Sequence, residues 1–216
     1  MNSVVKPDCT SDESNEYHPV ANLNQLAEGS LTVAHENREA YDELFNAFKV
    51  AEQDIKEAEI VDKAGNGILI PAINELRYCS YHIIHAINSA DPANQKEQLL
   101  RAKRHCERAS FDALELGLST LLIKIDEFKA PYRGKVPLSS VISGYADDMS
   151  AATKAQESLG GNYKDKIENF KAIREHHSRA KDIYVKFIQM EDDLQLEIDK
   201  RRRESRAQKV PYIALV

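Results

Sequence analysis

Glycine and proline are scarce, 8 and 7 among 216 residues, and most of them fall at breaks between long periodic segments. That distribution favours an all-α chain. Cysteine is scarcer still. Cys9, Cys79 and Cys106 are odd in number, widely spaced and without a C-x-x-C pair, so neither a disulfide framework nor a zinc ribbon is indicated. No apolar run approaches the roughly 18 residues that suggest a membrane span. The first residues, MNSVVKPDCTSDESNEYHP, lack the basic start and apolar stretch of a signal peptide. A soluble, reduced, cytoplasmic protein without a membrane partner is the expectation.

Several catalytic signatures are missing too. The short GNG and GG runs lack the remaining spacing of a phosphate-binding loop, and no G-x-S-x-G nucleophile motif occurs. No histidine has a glutamate three residues before it, which excludes a ferritin-like di-iron site. No cofactor is expected.

What remains is ordinary for a helical protein: 42% hydrophobic and 30% charged residues, enough chain for one domain with a sizeable core. The net charge of −6 argues against a large nucleic-acid-binding face, though not against a local basic patch or a small RNA-cleaving site.

Along the chain, residues 1–33 are polar and acidic without apolar periodicity and read as a flexible arm. Residues 34–208 read as an antiparallel bundle of about five long helices, and 209–216 as an apolar, β-prone tail. The first helix runs from about His35 to Lys63 on a stripe of Tyr41, Leu44, Phe45, Phe48, Ala51, Ile55 and Ala58. The segment AGNGILIP breaks it, and Pro71 suits the first turn of the second helix, which stops near SADPAN. A third helix is expected from Asn94 to Lys129, on Leu99, Ala102, Cys106, Ala109, Ala113, Leu114, Leu121 and Ile125. A fourth runs from Leu138 to Ser158 and ends at Gly160 and Gly161. The fifth is the most regular, with Ile167, Phe170, Ile173, His177, Ala180, Tyr184, Phe187, Met190, Leu194 and Ile198 in step. It spans about 40 residues, ~60 Å, so its end should project, carrying the basic run KRRRESR.

The second helix carries the chemistry. Its stretch PAINELRYCSYHIIHAIN gathers Ile73, Leu76, Ser80, Ile83, Ile84 and Ile87 on one side, with Arg77 on the border of that stripe. Arg77, Tyr81 and His85 align along the helix, and His82 sits farther round beside Tyr78 and His85. Histidine can take the proton of a ribose 2′-OH or donate one to the leaving oxygen. Arginine pairs with phosphate oxygens and stabilises the extra charge of the transition state.

The spacing from Arg77 to His82, with RYCSYH between and including them, resembles the R-x4–6-H motif of the HEPN (higher eukaryote and prokaryote nucleotide-binding) family. Arg77 and His82 are the only Arg/His pair in the chain at that spacing. The surroundings, NELRYCSYHIIHAI followed by RAKRHCERASFDALEL on the next helix, are similar as well. The resemblance covers roughly residues 35–200. It implies an α-helical bundle, commonly a homodimer, in which Arg77 and His82 meet at the subunit interface. Catalytic members are metal-independent endoribonucleases of toxin–antitoxin, abortive-infection and CRISPR systems. By that likeness Arg77 would hold phosphate, His82 would act as general acid or base, and Tyr78, Tyr81 and His85 would bind substrate or partner. Catalytic members usually carry a small polar residue after the arginine, where this chain has Tyr78. A non-catalytic module binding a partner protein, a nucleotide or RNA is therefore the second reading, and a cognate antitoxin or effector is an expected partner under the first.

Structural roles stand beside each of these. Arg77 could cover the core edge and pair with a glutamate. His82 and His85 could be half-buried and capped, and Tyr78 and Tyr81 could be rim aromatics. Cys79, His82, His105 and Cys106 suggest a zinc set only if the second and third helices face each other there, and buried free cysteines are the commoner arrangement. In the string Glu175-His176-His177, His177 falls on the core stripe and a structural role is the default.

Overall fold

The computed structural model describes residues 37–61, 69–159 and 170–213, and among these it is all-α, with no strand. Six α-helices follow in order: α1 Arg38–Val61, α2 Ile70–Ile87, α3 Pro92–Lys129, α4 Tyr145–Ser158, α5 Phe170–Gln189 and α6 Glu191–Ile213. Short 3-10 turns at Ala130–Tyr132 and Leu138–Ser140 connect α3 to α4. The expected N-terminal arm, Cys9, the glycine stops at 160 and 161, and Ile167 lie outside the described residues.

The organising element is α3, whose 38 residues extend ~57 Å. It carries apolar residues on more than one side because different helices cover its two halves. Along its first half, α1 and α2 enclose a cluster that includes Leu44, Ala51, Ile55, Ala72, Cys79, Leu99 and Cys106. Along its second half, α4 and α5 close a larger cluster around Leu118, Leu121, Ile125, Ile142, Ile173, Ile183 and Phe187, joined by Leu194 and Ile198 of α6.

Four boundaries differ from the sequence reading, each for a local reason. The start of α3 is Pro92, not Asn94, because the Asp91 carboxylate accepts hydrogen bonds from the amides of Ala93 (3.0 Å) and Asn94 (3.3 Å) and Pro92 supplies a helical φ at no hydrogen-bond cost. Helix α4 starts at Tyr145, not Leu138, because Leu138–Ser140 form a separate 3-10 turn and Gly144, at φ 68° in the left-handed region, stands immediately before the first helical residue. The long last helix is two, parted at Met190. There the amide is shared between the carbonyls of Lys186 (3.2 Å) and Phe187 (3.1 Å), a local tightening of the helix. Residues 209–213 of the expected tail continue α6 as helix.

Two expected core assignments are overturned. Phe45 is 62% exposed, with the Lys49 ammonium 5.4 Å from its ring centre. On α2 the core face is Ala72, Cys79 and Ala86, spaced by seven. Leu76 and Ile83 pack at its edges, while Ile73, Ile84 and Ile87 are 48%, 58% and 55% exposed. The facing residues of α3 decide this: Ala102, Cys106 and Ala109 are small, and a seam of small residues lets two helices approach at the short end of the ~8–10 Å range. Bulky isoleucines would hold them apart.

Polar contacts lock the ends. Buried Gln95 donates to the Ala86 carbonyl (3.3 Å) and accepts from Asn37 (2.8 Å), tying the start of α1 to the α2–α3 turn. Arg174 of α5 grips the buried carboxylate of Asp54 on α1 at 2.7 and 2.6 Å, and Ser110 of α3 donates to the same group. Asp148 of α4 takes Arg179 and Lys186, each at 2.6 Å. Residues 200–207, which carry the basic run, are all exposed beyond the last core contact, so the end of α6 projects as expected.

Candidate functional site

Arg77 and His82 are five residues apart, which places them about 140° apart around α2 at 100° per residue. Arg77 is exposed, its guanidinium donating to the Asn74 side-chain oxygen at 3.2 Å. A surface groove of about 390 Å³ runs beside it, lined by Asn74, Arg77, Tyr78 and Tyr81. His82 turns the other way, toward α3. A single chain therefore does not bring the pair together.

What the fold does bring together is a set of rings across the α2–α3 seam. His82 and His105 stack with centroids 5.2 Å apart and planes 16° from parallel. Tyr78 lies 5.5 Å from His105, and Tyr81 packs edge-on to His82 at 5.5 Å and against His85 at 4.3 Å. Both tyrosines stay more than half exposed, and His85 is exposed. Both imidazoles of the stack are anchored at Nδ1. In His82 this atom lies 2.7 Å from the Gln98 side-chain oxygen, whose amide nitrogen points to Asn94. In His105 it lies 2.7 Å from the Glu75 carboxylate. An oxygen acceptor requires Nδ1–H on each ring, which leaves Nε2 to accept a proton in the neutral form and donate one in the charged form.

Glu75 and Gln98 carry no motif and escape a linear reading, and His105 entered it only as a metal candidate. A signal did exist. The short connection between α2 and α3 forces an antiparallel hairpin, so residues equidistant from Ala90 face each other. Glu75 and His105 are such a pair, and so are His82 and Gln98.

The imagined zinc set fails in a specific way. Cys79 and Cys106 meet, Sγ to Sγ 3.3 Å, and His82 meets His105, yet among the described residues no group of three or more His, Cys, Asp or Glu side chains converges as a metal site. Both cysteines are fully buried and unbridged. The hydrogen bond shared with Cys106 lowers the pKa of the Cys79 thiol, and that same bond together with burial raises the pKa of Cys106.

A cavity of about 470 Å³ lies at the foot of α2, between Leu69, Ala72, Asp112, Leu116, Gln156 and Leu159. Burial, reinforced by Glu75 and Glu115, pushes the Asp112 carboxyl up to about 6. His177 is buried as the sequence suggested, with its pKa lowered by desolvation. Among the described residues no helix is long and apolar enough to cross a membrane.

Comparison with family models, curated proteins and solved structures returns no match for this chain.

Proposed function

We propose that the chain is a HEPN-like interaction module that pairs with a second copy of itself through the outward face of α2 and offers the adjoining tyrosine–imidazole flank to RNA or a nucleotide. The observation that carries this reading is the inversion of α2. Small residues face its own core, while Ile70, Ile73 and Ile84, each about half exposed, line the solvent side together with Arg77 and Tyr81. Apolar side chains contiguous on one exposed face mark an association surface. A two-fold axis across it would pair identical ridges, the arrangement commonest among homodimers. The unbridged thiols suit a reducing cytoplasm.

Light scattering on the full chain tests the pairing. The wild type should run as a dimer and Ile73→Glu/Ile84→Glu as a monomer with unchanged helical circular dichroism. A monomeric wild type at micromolar concentration would sink the proposal.

One observation favours a second reading, a metal-independent endoribonuclease of a toxin or antiviral defence system, held in check by an antitoxin or effector partner. Both stacked imidazoles present Nε2 for proton transfer, and Arg77 is free to meet a phosphate from the outward ridge. In this reading Arg77 of one copy serves His82 of the other. Incubating RNA with the wild type, Arg77→Ala and His82→Ala in EDTA separates the two readings. Fragments ending in 2′,3′-cyclic phosphate from the wild type alone favour the enzyme, and intact RNA throughout favours the module.

A further inference from the structure

We propose that Cys79 and Cys106 form a redox modification site, closing reversibly into an intrachain disulfide that clips α2 to α3 when the chain meets a peroxide. The proposal stands on the seam alone and is independent of what the outward face of α2 binds.

Geometry comes first. The sulfurs are 3.3 Å apart, so bond formation to the usual ~2.05 Å needs little more than 1 Å of closure. Their neighbours along the seam, Ala72, Ala86, Ala102 and Ala109, are small and let the two helices approach closely. The pair also has the asymmetry that the chemistry needs. Across this contact the Cys79 thiol is held below its ordinary pKa and the Cys106 thiol above it, which favours thiolate at Cys79 and protonated sulfur at Cys106. One cysteine is set to attack and the other to resolve.

The steps balance. The Cys79 thiolate attacks one oxygen of hydrogen peroxide, the O–O bond breaks, and the departing hydroxide takes up the proton that Cys79 released, giving water and a Cys79 sulfenic acid. Cys106 sulfur then displaces the sulfenic oxygen, which leaves as a second water carrying the Cys106 proton. Two thiols are oxidised, one peroxide is reduced, and one S–S bond forms.

Access sets the rate. Both side chains have zero exposure, so even a water-sized oxidant must enter through a transient opening of the α2–α3 seam. The consequence lies one turn away: Cys79 precedes His82 by three residues and Cys106 follows His105 directly. A bond at this point would fix the register of the imidazole stack.

The test uses the full chain with Cys9→Ser, so that only this pair can react. After excess hydrogen peroxide the protein is denatured, alkylated with iodoacetamide and weighed intact. The expected result is no alkyl group and a mass lower by two hydrogens, against two alkyl groups for the reduced protein. A non-reducing digest should yield the Cys79 and Cys106 peptides joined, and dithiothreitol should restore both thiols. Low urea should speed the reaction by raising the open fraction, and the oxidised form should melt at a higher temperature. With Cys106→Ala, a change the alanine seam tolerates, dimedone should trap the sulfenic acid at Cys79. Two alkyl groups retained even in low urea would overturn the proposal. So would a Cys79 sulfinic acid beside an alkylated Cys106, or a bond between two copies on a non-reducing gel.

Discussion

The imidazole of His177 occupies the space that a side chain on Gly117 would fill: a Cβ there would come 2.8 Å from Nε2 and 3.1 Å from Cδ2. That Nε2 is buried and meets no hydrogen-bonding partner. The absence of a Cβ at Gly117 is what lets α5 bring its histidine against α3.

Replacing Gly117 by alanine sets two effects against each other. Alanine raises helix propensity by about 1 kcal/mol, but overpacking a closed core costs ~1–3 kcal/mol. The neighbour here is a buried ring, and Ala58 lies 3.4 Å from the new methyl group as well. Gly117→Ala should therefore destabilise by up to ~2 kcal/mol in urea unfolding, and the loss should vanish in Gly117→Ala/His177→Ala relative to His177→Ala.

The same histidine makes stability depend on pH. Desolvation lowers its folded-state pKa below the ordinary 6.5, so the unfolded chain protonates there first. The contribution is complete above about 6.5 and is lost as the pH falls toward the depressed folded value. Urea midpoints from pH 8 to 5 should decline for the wild type and decline less for His177→Leu. Equal slopes would mean that the ring is hydrated.

Asp112 acts with the opposite sign in an overlapping window. Its carboxyl is raised to about 6, so ionisation opposes folding above that pH and the burden lifts as pH falls toward the unfolded value near 3.8. Asp112→Asn should be more stable than the wild type at pH 8 by ~1 kcal/mol, less than the full shift implies because the group is partly solvated. Its advantage should shrink steadily below pH 6. Each residue is read by difference from its own variant, since the wild-type curve sums the two.

On α2 the usual ranking of substitutions should invert. Ile84→Ala removes a large side chain that is 58% exposed and should cost under ~0.5 kcal/mol. Ala86→Leu adds volume at a position with zero exposure in the small-residue seam and should cost ~2 kcal/mol or more. Thermal melts of the two, taken at a concentration where Ile73→Glu/Ile84→Glu and wild type share one oligomeric state, would separate them cleanly.

How far the sequence could be read varied helix by helix. The stripe of α5 was legible because its apolar residues occupy one arc, and Ile173, His177, Ala180 and Phe187 are all buried. On α2 apolar residues surround most of the helix, and periodicity alone cannot say which arc meets the core. The side-chain size of α3 decided it, and that information sits on another segment. Arg77 and His82 were visible as residue types, but the partners that orient the imidazoles, Glu75 and Gln98, become meaningful only when the hairpin folds about Ala90. The shared amide at Met190 has no residue signature that we can identify.

Asp54 is synthesised 120 residues before the arginine that neutralises it. The apolar cluster beneath α1 and α2 is complete by Ala113, so the first three helices can assemble on the ribosome while Arg174 is still untranslated. Through that interval the carboxylate sits at the open edge of a half-built bundle, with Ser110 of α3 but no cation beside it. Arrival of α5 buries it, and the ion pair then reports, in one contact, that translation has reached the last third of the chain and that the two halves of the core have joined.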